Sequence, residues 1–159
     1  MFLWAVEKLQ QHLPEVYVSS DDDAILLLAE AVGAKPIRRS SNLGGDVPNI
    51  TVYQHALGFM DADGIVAVQS CSPTVDDKLI KTARDLLLMG YQEVMTSKPI
   101  VSSADYHNQF HPIYGSIWAL SRERLQNYDS PYHPNPEVLL VDCSTDIHTE
   151  TDFMKAHDD

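Results

Sequence analysis

The sequence contains few cysteines and no long apolar run. Its 159 residues include only Cys71 and Cys143, which are too few for a disulfide framework and form no C-x-x-C metal motif. No apolar segment approaches the roughly 20 residues that span a membrane. The first residues also lack the basic region and cleavage site of a signal peptide. The sequence therefore predicts a cytoplasmic protein that does not contact a membrane.

Basic side chains are also scarce. The sequence has 11 Lys and Arg residues and 23 Asp and Glu residues, which gives a net charge of −12. Proteins that bind nucleic acid need a cationic surface to displace the counterions of the phosphate backbone. The acidic balance therefore argues against a nucleic-acid partner. The negative electrostatic field of such a chain also repels a free anion, so an anionic substrate would need a divalent metal or a local arginine to bind.

Apolar residues make up 44% of the chain and charged residues 21%, which is typical of a globular protein. The length predicts a single domain over residues 1–159. Strand-like and helix-like segments alternate with short connections, which predicts a three-layer α/β/α fold with a mostly parallel sheet. Strands are expected at 16–18, 35–37, 64–69, 94–96, 113–120 and 138–141. Helices are expected over 2–13 and after positions 20, 48, 74 and 149.

Two local patterns refine this prediction. The continuous apolar run at 64–69 is typical of a strand that is covered on both faces. The pairs Ser20 with Asp23 and Thr149 with Asp152 have the spacing of a helix-capping box.

Ligands of α/β proteins bind beyond the carboxyl ends of the strands. In this sequence that rule selects the loops at residues 19–23, 69–74, 97–99 and 143–148. They carry hydroxyls, carboxylates and one histidine. We therefore expect these loops to meet at one edge of the sheet.

Asp146 and His148 stand two residues apart in the last of these loops. Alternate residues of an extended turn face the same way, so the two side chains could converge on a metal ion. A carboxylate with an imidazole suits a transition metal better than Mg²⁺. The alternative is that Asp146 forms a turn and His148 is a surface residue.

The other loops also allow two interpretations each. Ser70 and Ser72 precede a predicted helix and suit a phosphate or a sugar, whereas Cys71 between them has no neighbouring base and is expected to be a packed thiol. The carboxylates at 21–23 are explained by a helix N-terminus, with a metal site as the alternative. The adjacent Arg38 and Arg39 either hold a phosphate or form a solvated pair.

Five segments occur in an order that resembles the acylneuraminate cytidylyltransferase (CMP-sialic acid synthetase) family. V-S-S-D-D at 18–22 is similar to the family's V-S-T-D-D, and R-S-S-N-L at 39–43, followed by Asp46, is similar to R-P-x-x-L…D. The segment V-Q-S-C-S-P at 68–73 occupies the position of the family's L-Q-P-T-S-P. The segment Y-G-S-I-W at 114–118 is similar to the family's N-G-A-I-Y. D-I-H-T-E-T-D at 146–152 resembles D-I-D-T-x-x-D.

The resemblance implies a nucleotide-diphospho-sugar transferase-like fold and transfer of CMP from CTP to an acidic sugar, sialic acid or a related nonulosonic acid, with release of pyrophosphate. The family begins with a strand and a phosphate-binding R-x-G-S-K-G loop, and the sequence starts at the helix after them. The alternative is that the protein is a non-catalytic or truncated homologue that acts as a binding or partner subunit. The resemblance is also compatible with a homodimer.

The resemblance further assigns candidate site residues. Asp146 would be catalytic and bind Mg²⁺. His148 stands where the family has a second carboxylate, so Mn²⁺ or Zn²⁺ would replace Mg²⁺ if His148 is a ligand. The candidate substrate-binding residues are Arg39 and Asn49 near the nucleotide, Gln69 at the sugar, and Ser70, Ser72 and Gly115 in the matching segments.

Overall fold

The computed structural model describes residues 1–99, 114–130 and 133–158, so Ile113 of the fifth predicted strand lies outside the described residues. Six α-helices, one short 3-10 helix (Ser41–Leu43) and six strands occur in these ranges, and none of these helices is long and apolar enough to cross a membrane. The helices are α1 (Phe2–His12), α2 (Asp23–Ala31), α3 (Asn49–Leu57), α4 (Asp77–Leu88), α5 (Arg122–Gln126) and α6 (Glu150–Asp158). The strands are β1 (Tyr17–Ser20), β2 (Lys35–Arg38), β3 (Gly64–Val68), β4 (Glu93–Ser97), β5 (Tyr114–Ser121) and β6 (Val138–Val141).

The strands form two sheets. β1 and β2 pair in parallel, and the larger sheet has the order β3-β5-β4-β6. β4 and β6 are parallel, whereas β5 runs antiparallel to both of its neighbours. The predicted α/β class is confirmed, with a mixed sheet. Parallel neighbours need a long crossover, usually a helix, whereas antiparallel neighbours such as β4 and β5 do not.

The side chains of β5 point alternately to the two faces of the larger sheet, and each face carries a buried core. Ile117 and Ala119 point to one face, where they join a buried cluster with Ile80 and Ala83 of α4. Trp118 and Leu120 point to the other face and join residues of α3 and α5, among them Ile50, Leu57 and Leu125. Because successive strand residues face opposite sides, this single strand anchors helices in both outer layers.

Helix starts follow the expected chemistry, but not always at the expected residue. Asp22, rather than Ser20, caps α2, and its carboxylate accepts from the backbone N–H of Ala24 at 2.7 Å. Ser20 instead accepts from the N–H of Asp22. The predicted pair at α6 is confirmed, since the N–H of Thr149 donates to Asp152 at 3.0 Å and the N–H of Asp152 donates to the Thr149 hydroxyl at 3.2 Å.

β3 differs from its prediction. Its residues are all half-buried rather than fully covered, because β3 is an edge strand of the larger sheet in the part of the chain that the structure describes. A groove with a volume of about 1200 Å³ separates it from β1 of the small sheet. We call this cavity the inter-sheet groove. The apolar sequence of β3 is explained by packing against both helical layers, and its free edge is the feature that the sequence did not reveal.

A buried carboxylate ties α5 to the sheet. Glu93 at the start of β4 is 1% exposed and accepts hydrogen bonds from Trp118 Nε1 at 3.1 Å and Tyr128 Oη at 2.7 Å. Its second oxygen accepts from Arg124 Nε at 2.9 Å. Buried carboxylates are retained only when such partners compensate the loss of water.

We expect Arg124→Met to lower the free energy of unfolding by about 3–5 kcal/mol, because it leaves the Glu93 charge buried without its counter-ion. Urea unfolding measures this loss. Lys81→Met is the matched control, since Lys81 pairs with Asp85 at an exposed position, where such a pair contributes about 1 kcal/mol or less. Equal effects of the two substitutions would contradict the prediction.

Candidate functional site

Four of the predicted site residues line the inter-sheet groove. Arg39 follows β2, Asn49 begins α3, and Gln69 and Ser70 follow β3. Arg39, Gln69 and Ser70 lie at the carboxyl ends of strands, where α/β proteins bind ligands. The structure therefore brings these four residues to one cavity.

Arg39 directs polar groups into this groove. Its Nε is buried and has no hydrogen-bond partner among the described residues, and its terminal nitrogen lies 3.9 Å from Asp21. The hydroxyl of Ser19, also on the groove wall, is likewise buried without such a partner. Buried polar groups are normally hydrogen-bonded, so these two groups are suited to bind a polar ligand.

The neighbouring Arg38 has a different environment. It is exposed, its guanidinium pairs with Asp23, and it donates to the carbonyl oxygen of Asp21 at 2.5 Å. The adjacent pair thus divides into one solvated arginine and one arginine that faces the groove. This arrangement favours Arg39 alone as a phosphate ligand.

A second group of side chains lies beside the groove. Ser72 is fully buried and donates to Asp146 Oδ1 at 2.5 Å. The ammonium of Lys98 lies 3.6 Å from the same oxygen and 4.0 Å from Asp142. We call these four residues the Asp146 cluster. It places one cation between two carboxylates.

Backbone contacts join this cluster to the loop that follows β3. The N–H of Ile147 donates to the carbonyl of Cys71 at 2.8 Å, and the N–H of Thr145 donates to the hydroxyl of Thr74 at 2.7 Å. The loops at 69–74, 97–99 and 143–148 therefore meet, as the strand-end rule predicts. Cys71 itself is half-buried with its thiol 3.6 Å from Gln69 Oε1, an arrangement that favours the packed thiol.

Asp142 is a buried site residue that sequence reasoning missed. Its carboxylate accepts from the backbone N–H of Ser116 at 2.7 Å, the Ser116 hydroxyl at 2.6 Å and the N–H of Ser144 at 2.8 Å. Burial raises the pKa of Asp142, but the hydrogen bonds from Ser116 and Ser144 outweigh it and lower the pKa to about 2. The available signal was its position directly after the apolar strand β6.

Gly115 packs against this carboxylate. A Cβ atom at Gly115 would lie 2.5 Å from Asp142 Oδ2 and 2.5 Å from Thr96 Oγ1, closer than real contacts allow. Glycine at this position is therefore explained by close packing inside the sheet. Its predicted role in substrate binding stays a prediction.

The predicted metal ligands do not form a complete donor set by themselves. His148 is exposed and its backbone N–H donates to Asp152, and none of the described contacts joins it to Asp146. The described residues also hold no group of three or more histidine, cysteine or carboxylate side chains suited to a metal. The half-buried carboxylate of Asp146 does fit the Mg²⁺ sites in which one carboxylate and the phosphates of a ligand supply the oxygens.

No protein-family model matches this sequence, and no curated protein matches it. Solved structures do. CMP:2-keto-3-deoxy-manno-octonic acid synthetase complexed with CTP superposes with a TM-score of 0.75 at 14% identity, over 99% of this chain and 86% of that chain. The 4-diphosphocytidyl-2C-methyl-D-erythritol synthase of Anaerococcus prevotii gives 0.66 at 12% identity, over 99% and 85%. A Mycobacterium tuberculosis H37Rv protein complexed with manganese gives 0.67 at 14% identity, over 98% and 84%.

These similarities establish the fold. The chain has the cytidylyltransferase-like nucleotide-sugar transferase fold that its sequence motifs predict. One of these neighbours is complexed with CTP and another with manganese.

We expect Gly115→Ala to destabilise the protein by about 2 kcal/mol or more, since over-packing a buried site typically costs 1–3 kcal/mol. Thermal unfolding measures the effect. Gly58→Ala is the control, because Gly58 is exposed and already has helical backbone angles. An unchanged melting temperature for Gly115→Ala would show that the Asp142 pocket tolerates a methyl group.

The low pKa of Asp142 predicts acid-dependent stability. Its folded pKa lies below the ordinary 3.8, so its ionised form contributes stability that is fully present above about pH 4 and is lost as the pH falls toward 2. We therefore expect the stability gap between wild type and Asp142→Asn to shrink by on the order of 2 kcal/mol over this range. Urea unfolding at several pH values measures the gap, with the exposed Glu30→Gln as control. A gap that does not change with pH would contradict this assignment.

Proposed function

We propose that this protein binds CTP in the inter-sheet groove and transfers its cytidylyl group to a hydroxyl of an acidic sugar such as sialic acid or a related nonulosonic acid. The observation that carries the proposal is the meeting of Arg39, Asn49, Gln69 and Ser70 in one groove beside the Asp146 cluster. The fold and the five sequence segments support the same reaction class.

In this reaction the anomeric hydroxyl oxygen of the sugar attacks the α-phosphorus of CTP. A new P–O bond forms, the bond between the α- and β-phosphates breaks, pyrophosphate leaves and the hydroxyl proton is released. Little covalent chemistry falls to the protein, so its contribution is to orient the two substrates and stabilise charge. A local cation is essential because the protein's net charge of −12 repels the triphosphate.

Arg39 supplies such a cation. Its unpaired Nε and planar guanidinium are suited to bidentate contacts with phosphate oxygens. The Ser19 hydroxyl beside it adds a donor, and Asn49 at the start of α3 faces the same space. On the opposite side of the groove, the amide of Gln69 and the exposed hydroxyl of Ser70 are placed to hold the sugar.

A divalent cation, Mg²⁺ in this proposal, would be held by the carboxylate of Asp146 together with substrate phosphates. When bound, it neutralises charge that develops on the phosphates. Ser72 orients Asp146 through its 2.5 Å hydrogen bond, and Asp142 holds the neighbouring Lys98. The buried Asp142 network therefore fixes the position of the metal-binding carboxylate.

A second candidate is nucleotide binding without transfer. The observation that favours it is the ammonium of Lys98, 3.6 Å from Asp146, which already supplies a positive charge at that carboxylate. In this case CTP binds through Arg39 without a requirement for a metal. The two candidates differ in whether pyrophosphate is released.

We expect CTP to bind more tightly with Mg²⁺ than without it, and Arg39→Met to weaken binding about tenfold or more, the loss of roughly 1.4 kcal/mol. Calorimetric titration measures both effects. Arg38→Met is the matched control, because the adjacent Arg38 is exposed and pairs with Asp23. Asp146→Asn should remove the effect of Mg²⁺ while leaving metal-free binding unchanged.

Turnover is measured with CTP, Mg²⁺ and either sialic acid or 2-keto-3-deoxy-manno-octonic acid, by pyrophosphate release and mass spectrometry of the CMP-sugar. Product formation that is lost in Asp146→Asn supports the transferase. Binding of CTP without product supports the second candidate. Equal CTP affinity of wild type and Arg39→Met would overturn both candidates.

A further inference from the structure

The side chain of Lys98, directly after β4, supplies the positive charge of the Asp146 cluster. Its ammonium lies 3.6 Å from Asp146 Oδ1 and 4.0 Å from Asp142 Oδ2. In the part of the chain that the structure describes, no other Lys, Arg or His side chain forms an ion pair with Asp146. The carboxylate that the proposed function assigns to a metal is therefore already paired with a charge of the protein itself.

Several contacts hold the ammonium in this position. It donates to the carbonyl oxygen of Ser144 and, at 3.0 Å, to the hydroxyl of the same residue. The Lys98 side chain is only 18% exposed, and the Asp142 carboxylate that it faces is fully buried. Because Asp142 accepts hydrogen bonds from Ser116 and Ser144, its negative charge is compensated in place. Lys98 would break its own hydrogen bonds to Ser144 if it turned away from Asp146.

A metal ion at Asp146 must share the carboxylate with this ammonium. Asp146 Oδ1 faces Lys98 and also accepts from the hydroxyl of the fully buried Ser72 at 2.5 Å. These two partners come from different loops, and together they keep the carboxylate next to the positive charge. Asp146 is itself half-buried, so solvent and salt screen the repulsion between the ammonium and a metal only in part.

The charge balance of these side chains disfavours a metal on its own. One ammonium and two carboxylates leave a single net negative charge, which a divalent cation would reverse. A bound divalent cation is often the largest local charge in its site, and like charges repel strongly where water is scarce. The phosphates of a nucleotide change this balance, because they bring negative charge next to both cations. Without Lys98, the two carboxylates would match a divalent cation directly.

We propose that Lys98 keeps divalent metals from Asp146 until a triphosphate binds, so that the metal is taken up together with the nucleotide. The inference rests on the proposed function, in which Asp146 is the metal ligand. Lys98 acts through Asp146 and therefore has a positioning role rather than a catalytic one. Mg²⁺ in proteins is usually bound by one or two carboxylates together with substrate phosphates, and Lys98 gives this preference a physical cause in this chain.

The test measures binding of Mn²⁺ to the whole chain without nucleotide, by electron paramagnetic resonance of the free ion. We expect wild type to bind weakly and Lys98→Met to bind one ion about tenfold more tightly or better, a gain of about 1.4 kcal/mol or more. The reason is that the substitution removes a charge 3.6 Å from the ligand oxygen. Lys81→Met is the matched control, because it removes the same charge at an exposed position and should leave the affinity unchanged.

Further variants assign the effect to the charge and to the site. Lys98→Arg keeps the positive charge and should bind Mn²⁺ as weakly as wild type. The double variant Lys98→Met with Asp146→Asn should lose the gain, because the carboxylate that takes the metal is gone. Lys98→Gln, whose amide can still donate to the Ser144 hydroxyl, replaces Lys98→Met if circular dichroism shows that the methionine variant does not fold.

Three results would overturn the proposal. These are equal Mn²⁺ affinity of wild type and the uncharged Lys98 variants, a gain that persists without Asp146, and clearly tighter Mn²⁺ binding by wild type than by Asp146→Asn. The last comparison needs no substitution at Lys98, so the test stands even if those variants do not fold. Because no nucleotide is present, each result is distinct from failure of the proposed function, which CTP binding and turnover test.

Discussion

The buried carboxylate of Asp142 is the interaction on which the candidate site depends. It lies directly after β6, accepts three hydrogen bonds from Ser116 and Ser144, and faces the ammonium of Lys98. These contacts connect β5, the end of β4 and the last loop in one charged network. A buried carboxylate without such donors would be costly, so the network allows few other arrangements. Asp146 is held beside the groove as a consequence.

The inter-sheet groove brings together side chains that are far apart in the sequence. At the strand ends and at the start of α3 it presents side-chain groups, namely Arg39, Asn49, Gln69 and Ser70.

Much of the fold could be predicted from local patterns. Amphipathic periodicity located α1 and α4, and the reciprocal pair Thr149 and Asp152 located the start of α6. The strand-end rule also brought three of the four selected loops together. Such features depend on residues a few positions apart, so a single sequence contains the information. The cap of α2 was misplaced to Ser20 because Asp22, two residues later, offers the same chemistry.

The rest depended on contacts between residues that are distant in the sequence. Composition and periodicity determined the α/β class and the acidic net charge, because each is a property of single residues or of short spacings. The resemblance of five short segments to a known family supplied most of the candidate site residues. Only the tertiary structure decided that Arg39 faces the groove while Arg38 is solvated. It also placed Lys98 between Asp142 and Asp146. Among the described residues, it made β3 an edge strand of the larger sheet. Strand order and charge pairing arise from long-range packing, and local sequence does not encode which partner a strand edge or a carboxylate will meet.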